Sequence, residues 1–159
     1  MKMRRISRTS GKTRPSGGGR SSDLRIASVF SADELAALSV AAREASAFAY
    51  SPYSHFRVGA AVLTGDGVIV GGCNVENVSY GLSICAERVA IFQAVTKGHP
   101  RIRALVLYTP TAKPVTPCGA CRQVIAEFGV DAVIVCICDG EESISTTLKE
   151  LLAMPFGAD

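Results

Sequence analysis

The sequence has no tryptophan, only two histidines, and no apolar run approaching the roughly 18 residues that a membrane-crossing helix needs. The last absence excludes a helical membrane span and leaves a soluble, globular reading, which 48% hydrophobic and 19% charged residues support. There is no internal repeat either, so the 159 residues read as one domain, able to bury about two thirds of its unfolded surface around a single core. Acidic residues are missing from residues 1–22, which carry seven Lys/Arg. The formal net charge of +3 therefore sums a basic tail and a body with ten basic against fourteen acidic residues. An acidic body argues against a nucleic-acid-binding face on the folded domain, although the tail alone could touch polyanions. The basic start, MKMRRISRTS, is followed by no apolar segment of the kind a secretory leader requires. The six cysteines (73, 85, 118, 121, 136 and 138) are thus expected to be free thiols in a reducing, cytoplasmic compartment, used for metal or packing rather than as a disulfide framework.

Residues 1–22 are rich in Arg, Ser and Gly and nearly empty of core side chains. They cannot bury enough apolar surface to offset the entropy of ordering, and the expectation is a disordered basic tail preceding a domain over 23–159. An Arg- and Ser-rich segment without acids also fits an organelle transit peptide, but this one lacks an amphipathic apolar face. Within the domain, Ser31 and Glu34 form a capping-box pattern ahead of Leu35, Leu38, Ala42 and Ala45 at helical spacing. HFRVGAAVLT and GVIVGGCNV are β-branched runs joined by Gly65-Asp66-Gly67, which predicts a hairpin. A helix follows from about Ile84 to Gly98, then a strand in IRALVLYT, a helix in CGACRQVIAEFG closed by Gly129, and a strand in AVIVCIC. A turn at Asp139-Gly140 leads to an edge strand near Ser143–Ser145 and a last helix in TTLKELL. The order αββαβαββα, with strands too continuously apolar to face water on one side, predicts an α/β fold. Its expected architecture is three-layer α/β/α, with a central mixed five-stranded sheet between helices.

The chemistry-bearing stretch is PCGACRQV, with Cys118 and Cys121 three apart and no second pair beside them. Thiolates favour zinc, which takes four protein ligands in a structural site and three plus an open position in a catalytic one. Cys85 is the best third ligand, because it opens a helix just as Cys118 does, and a helix N-terminus favours the thiolate. The two helices follow strands of one sheet, so their N-termini can converge at its carboxyl edge. Cys73, His55, His99 and water are the candidates for the fourth position. Glu87, two residues after Cys85, tips the choice to water, because a carboxylate there can move protons without coordinating the metal. Arg88 and Arg122 each adjoin a residue of this set and are placed to offset the charge of three thiolates by donating to them. The plainer alternatives are a solvated Glu87 and two surface arginines. Cys136 and Cys138, alternating with Val135 and Ile137, are expected to pack in a strand rather than bind metal.

C-A-E followed by P-C-x-x-C resembles the zinc deaminase signature H-x-E…P-C-x-x-C with cysteine as the first ligand. YSPYSHFRVGAA, GCNVENVSYGLSICAERVAI and TPCGACRQV are together similar to the small nucleoside cytidine deaminases, which form homotetramers, and the similarity runs from about Tyr50 to Phe156. The resemblance implies one Zn²⁺ per subunit on Cys85, Cys118 and Cys121, and water attacking C4 of cytosine. The same resemblance implies that Glu87 first protonates N3 and then helps expel ammonia. It also implies that Asn74 and Glu76 bind the ribose 3′-hydroxyl, that Phe56 packs on the pyrimidine, and that Ala86 belongs to the base-binding loop. Tyr80 and Phe156 are expected to reach a neighbouring subunit's site, at the sugar and over the base. Gln123 joins Arg88 and Arg122 as a residue expected behind the ligands. Two polar residues at i and i+2 closing an apolar strand are costly unless they meet a partner, which agrees with a sugar site, although bonds to local backbone would also satisfy them. Phe56, taken alone, reads equally as core.

The expected function is thus hydrolytic deamination of cytidine and 2′-deoxycytidine to uridine and 2′-deoxyuridine, in pyrimidine salvage, on a free nucleoside and without membrane or nucleic-acid partners. A blasticidin S-type deaminase shares the zinc motif, and would be favoured if Asn74 and Glu76 held no sugar. A non-catalytic structural zinc or binding protein would need a fourth protein ligand and would leave Glu87 without a role.

Overall fold

A computed structural model of the protein describes residues 29–157. The basic tail expected over 1–22 lies outside the described residues, as does the start of the domain at 23. The capping box at Ser31 and Glu34 forms as the sequence pattern demands, each side chain accepting from the other's backbone N–H. It opens helix α1 (Ala32–Ser46), and strands β1 (Gly59–Thr64) and β2 (Ile69–Cys73) follow as the expected hairpin. Helix α2 (Ala86–Thr96), strand β3 (Ile102–Tyr108), helix α3 (Gly119–Phe128), strands β4 (Val133–Ile137) and β5 (Ser143–Thr147) and the short helix α4 (Leu148–Leu151) complete the chain. Sheet order is β2-β1-β3-β4-β5, parallel between β3 and β4 and antiparallel elsewhere. This is the mixed five-stranded sheet that the order of elements implied.

The central strands are apolar throughout because both of their faces are covered. Along β1, β3 and β4, Ala60, Val62, Leu105, Leu107, Ile134 and Cys136 pack with Ala90 and Ile91 of α2 and Ile125 of α3. Their alternate neighbours Ala61, Leu63, Ala104, Val106, Val133 and Val135 pack with Leu38 and Ala42 of α1 on the other side. Helices α2 and α3, with the short α4 whose Leu148 joins the same cluster, thus lie on one face and α1 on the opposite face. Full burial of Leu38, at 0% exposure, stabilises the fold by about 1.5–3 kcal/mol. Cys136 and Cys138 are buried, as a packing role requires. No helix among the described residues is long and apolar enough to cross a membrane.

Three features fix the position of α2. At Gly72 an added Cβ would stand 2.4 Å from Ala90 N and 2.9 Å from Ala86 O, so only glycine lets the helix lie directly on β2. Val75 and Ile84 exchange backbone hydrogen bonds of 2.9 Å each way. That bridge extends the backbone at Ile84, so the helix begins at Ala86 with Cys85 as its N-cap, two residues later than its apolar pattern suggests. Tyr50 flanks Val75 on its other side, its N–H donating to Asn74 O at 3.0 Å and its carbonyl accepting from Glu76 N at 2.8 Å.

Candidate active site

Helices α2 and α3 open side by side, with Cys85 capping the first and Cys118 the second. Neither cysteine side chain caps its own helix by a hydrogen bond. Cys121 lies one turn into α3, fully buried, while Cys85 is half-buried and Cys118 exposed. The three sulfurs lie within 4.8 Å of one another, with Cys85 Sγ 3.9 Å and Cys121 Sγ 3.5 Å from Cys118 Sγ. Tetrahedral bonds of about 2.3 Å to zinc place neighbouring sulfurs about 3.8 Å apart, so the separations fit this ion without rearrangement. Cys73, His55 and His99 are not part of the cluster; His99 instead pairs with Asp66, Nδ1 to Oδ2 at 2.7 Å.

The charges fit a dication as well. Cys121, and then Arg88, hold the Cys85 thiol down to about 5, while Cys85, followed by burial, pushes Cys121 far up. Three crowded sulfurs cannot all carry charge unaided; a bound Zn²⁺ removes that conflict. Arg88 Nη2 donates to Cys85 Sγ at 3.5 Å and to Ser83 O at 3.4 Å. Its Nε is buried without a partner, the one such side-chain atom among the described residues. An unpartnered guanidinium nitrogen behind a thiol suits a cluster that is anionic when loaded.

Glu87 follows in the first turn of α2 at 4% exposure, and burial, then the Cys85 charge, raises its carboxyl above the ordinary carboxylate range. The solvated alternative for this residue is thereby excluded. Ala86, also buried, contributes its side chain to the core, so that only its backbone is left for a ligand.

The expectation for Arg122 is corrected. Its Nε donates to Pro117 O at 2.8 Å, Nη1 to Leu151 O at 3.0 Å and Nη2 to Thr116 Oγ1 at 3.2 Å. With these bonds the guanidinium braces the loop before Cys118 against the C-terminal segment. Gln123 likewise faces that segment, its Nε2 donating to Phe156 O at 2.7 Å and its Oε1 accepting from Phe156 N at 3.0 Å. Phe156 itself is 86% exposed.

Asn74 and Glu76 flank Val75, whose backbone pairs with the residue before Cys85, and this brings them to the metal cluster's end of the sheet. Their side chains do not wait for a partner: they grip the loop joining α1 to β1. Asn74 Oδ1 accepts from Val58 N and Nδ2 donates to Phe56 O, each at 2.9 Å. Glu76 Oε2 accepts from Tyr53 N at 2.9 Å and Ser54 N at 3.2 Å, and Oε1 accepts from the Ser54 hydroxyl. These bonds, Ser54 foremost, hold the Glu76 carboxyl below the usual range. The partners lie 16 to 23 residues away, so neither side chain is merely closing a local turn. Phe56 is 39% exposed and is not core. Tyr80, in a 3₁₀ turn and 73% exposed, meets Tyr53 edge-on at 5.9 Å between ring centroids. Ser54 lies in the YSPYSHFRVGAA segment, but nothing in that segment singles it out; its contacts with Glu76 come from pairing distant backbone segments.

The sequence profile of the cytidine and deoxycytidylate deaminase zinc-binding region matches residues 32–137. A cytidine deaminase of Sporosarcina psychrophila is 46% identical over 128 residues, covering 80% of this chain and 92% of that protein. The crystal structure of a cytidine deaminase from Burkholderia pseudomallei matches with a TM-score of 0.73 at 44% identity, over 76% of this chain and 98% of its own. A blasticidin-S deaminase of Bacillus cereus is 29% identical over 107 residues, 62% of this chain and 76% of that protein. Because the matched span runs from α1 through β4 and takes in all three clustered thiols with Glu87, the chain belongs to the cytidine and deoxycytidylate deaminase zinc-binding family.

Proposed function

We propose that the protein hydrolyses cytidine and 2′-deoxycytidine to uridine and 2′-deoxyuridine with release of ammonia. The observation that carries this reading is a buried carboxyl, Glu87, in the same helical turn as one of three clustered thiols that leave a tetrahedral ion one open position. Bound Zn²⁺ supplies the acidification of a water at neutral pH. Cys85, Cys118 and Cys121 would hold that ion; Glu87 would carry one proton from water to N3 of the cytosine ring, then take the proton of the hydroxyl added at C4 and deliver it to the departing amine. Burial suits the task, since a proton carrier works best with an affinity closer to neutrality than that of a free carboxylate. Arg88 offsets the excess charge of the thiolates from behind Cys85.

Phe56 packs against the pyrimidine and the backbone at Ala86 meets its polar edge. Asn74 and Glu76 receive the 3′-hydroxyl, which leaves the 2′ position permissive and admits both sugars. Tyr80 and Phe156, both exposed aromatics on segments beside the site, complete a neighbouring copy's site in a homotetramer. We assign the activity to pyrimidine salvage by a catalytic domain over 23–159 in the reducing cytoplasm, a compartment that six free cysteines favour. The lower identity to a blasticidin-S deaminase favours the nucleoside over that antibiotic. The test is to follow loss of cytosine absorbance with cytidine, 2′-deoxycytidine, CMP and blasticidin S. Turnover of the two nucleosides is expected; a zinc-loaded protein inactive on all four compounds refutes an enzymatic role.

A further inference from the structure

Between α1 and β1 the chain makes a kink at His55, whose φ of 57° is the one positive value outside glycine among the described residues. A histidine tolerates this region better than a bulky residue but still at a cost, so its surroundings must hold it there. His55 N donates to Ser51 O at 3.0 Å on one side, and Phe56 N donates to Ser54 Oγ at 3.0 Å on the other. Ser54 thus stands at the kink with bonds in two directions. Its oxygen accepts from the Phe56 backbone, and its proton goes to Glu76 Oε1.

A carboxylate has about four lone-pair sites. In Glu76, Oε2 is filled by the Tyr53 and Ser54 N–H groups, and Oε1 is half filled by the Ser54 hydroxyl. One acceptor site remains, on the oxygen that Ser54 holds. Without the Ser54 hydroxyl, Oε1 loses its only donor, and the carboxylate is free to turn its remaining acceptor site away from a ligand.

We infer that Ser54 is a positioning residue for sugar recognition, orienting the Glu76 carboxylate to accept one furanose hydroxyl. The inference rests on the nucleoside reading proposed above. Ser54 is exposed, so Ser54→Ala should fold, and Ser54→Thr keeps the hydroxyl.

The experiment measures kcat and KM for cytidine, and inhibition constants for uridine and 3′-deoxyuridine, in wild type, Ser54→Ala and Ser54→Thr. Zinc content and thermal midpoint are recorded for each. Loss of a charge-assisted hydrogen bond should raise KM for cytidine and Ki for uridine about tenfold in Ser54→Ala, with kcat within about twofold. The Ki for 3′-deoxyuridine, which offers no 3′-hydroxyl, should stay within about twofold, and Ser54→Thr should restore the wild-type constants. Equal weakening of both nucleosides overturns the inference and makes Ser54 a general loop brace. An unchanged KM in Ser54→Ala overturns it too, while leaving the deaminase reading intact. A wild-type protein inactive on cytidine overturns both.

Discussion

Replacing Glu87 by glutamine separates proton transfer from everything else that residue does. The amide is nearly isosteric and stays in the first turn of α2, so neither the packing of Ala86 and Ala90 nor the three thiols should shift. What disappears is a titratable group at 4% exposure, where bulk water has no room to act in its place. General acid–base catalysis contributes about 10²–10⁴-fold, or about 2.7–5.5 kcal/mol of barrier. In the proposed mechanism Glu87 serves both N3 and the departing amine with no solvent substitute, so kcat for cytidine should fall by about 10³-fold or more. Thermal stability should hold or rise slightly, because the burial that raises the Glu87 carboxyl penalises its charged form and a neutral amide escapes that penalty. The assay is steady-state loss of cytosine absorbance, with zinc measured by atomic absorption on the same preparation. A kcat within about tenfold of wild type, or a variant that purifies without zinc, refutes the reasoning: the first denies the shuttle, the second makes Glu87 structural.

Arg88→Ala should weaken zinc affinity about 10–100-fold, since it removes the donor to Cys85 Sγ and the cation beside the cluster; competition with a chromogenic chelator measures this, and unchanged affinity counts against the charge-balancing role. Arg122→Ala should leave zinc affinity unchanged but loosen the C-terminal segment, seen as faster limited proteolysis near Leu151, whose carbonyl it holds. Gly72→Ala forces a Cβ to within 2.4 Å of Ala90 N and should cost about 1–3 kcal/mol of stability as α2 is pushed off β2, read by denaturant unfolding. Ser31→Ala removes the α1 cap and should cost about 1 kcal/mol by the same measurement, with kinetics untouched.

Short-range signals carried the elements. The capping box at Ser31 and Glu34, the Gly-Asp-Gly hairpin turn and the Gly129 stop are interactions within a few residues, so a linear pattern suffices to find them. The start of α2 escaped that logic because Ile84 is claimed by Val75, a partner that apolar spacing does not reveal. Arg122 illustrates the same limit at the site. Adjacency to Cys121 suggests a bond to sulfur, but a helix turns successive residues by about 100°, and the Arg122 side chain leaves toward Pro117 and Leu151 instead. Asn74 and Glu76 were legible as polar residues in want of a partner; that the partner is a loop 16 to 23 residues upstream was not.

Short motifs alone carried the chemistry of the centre, because ligand type is local: soft thiols at 85, 118 and 121, with a carboxyl two residues past the first. Which arginine reaches a thiol, where α2 begins, and how one serine comes to hold the Glu76 carboxylate emerge only once the chain is folded. Each of these depends on where a side chain points once distant backbone segments have paired, and hydrogen-bond direction across such pairings is not encoded in spacing along the chain.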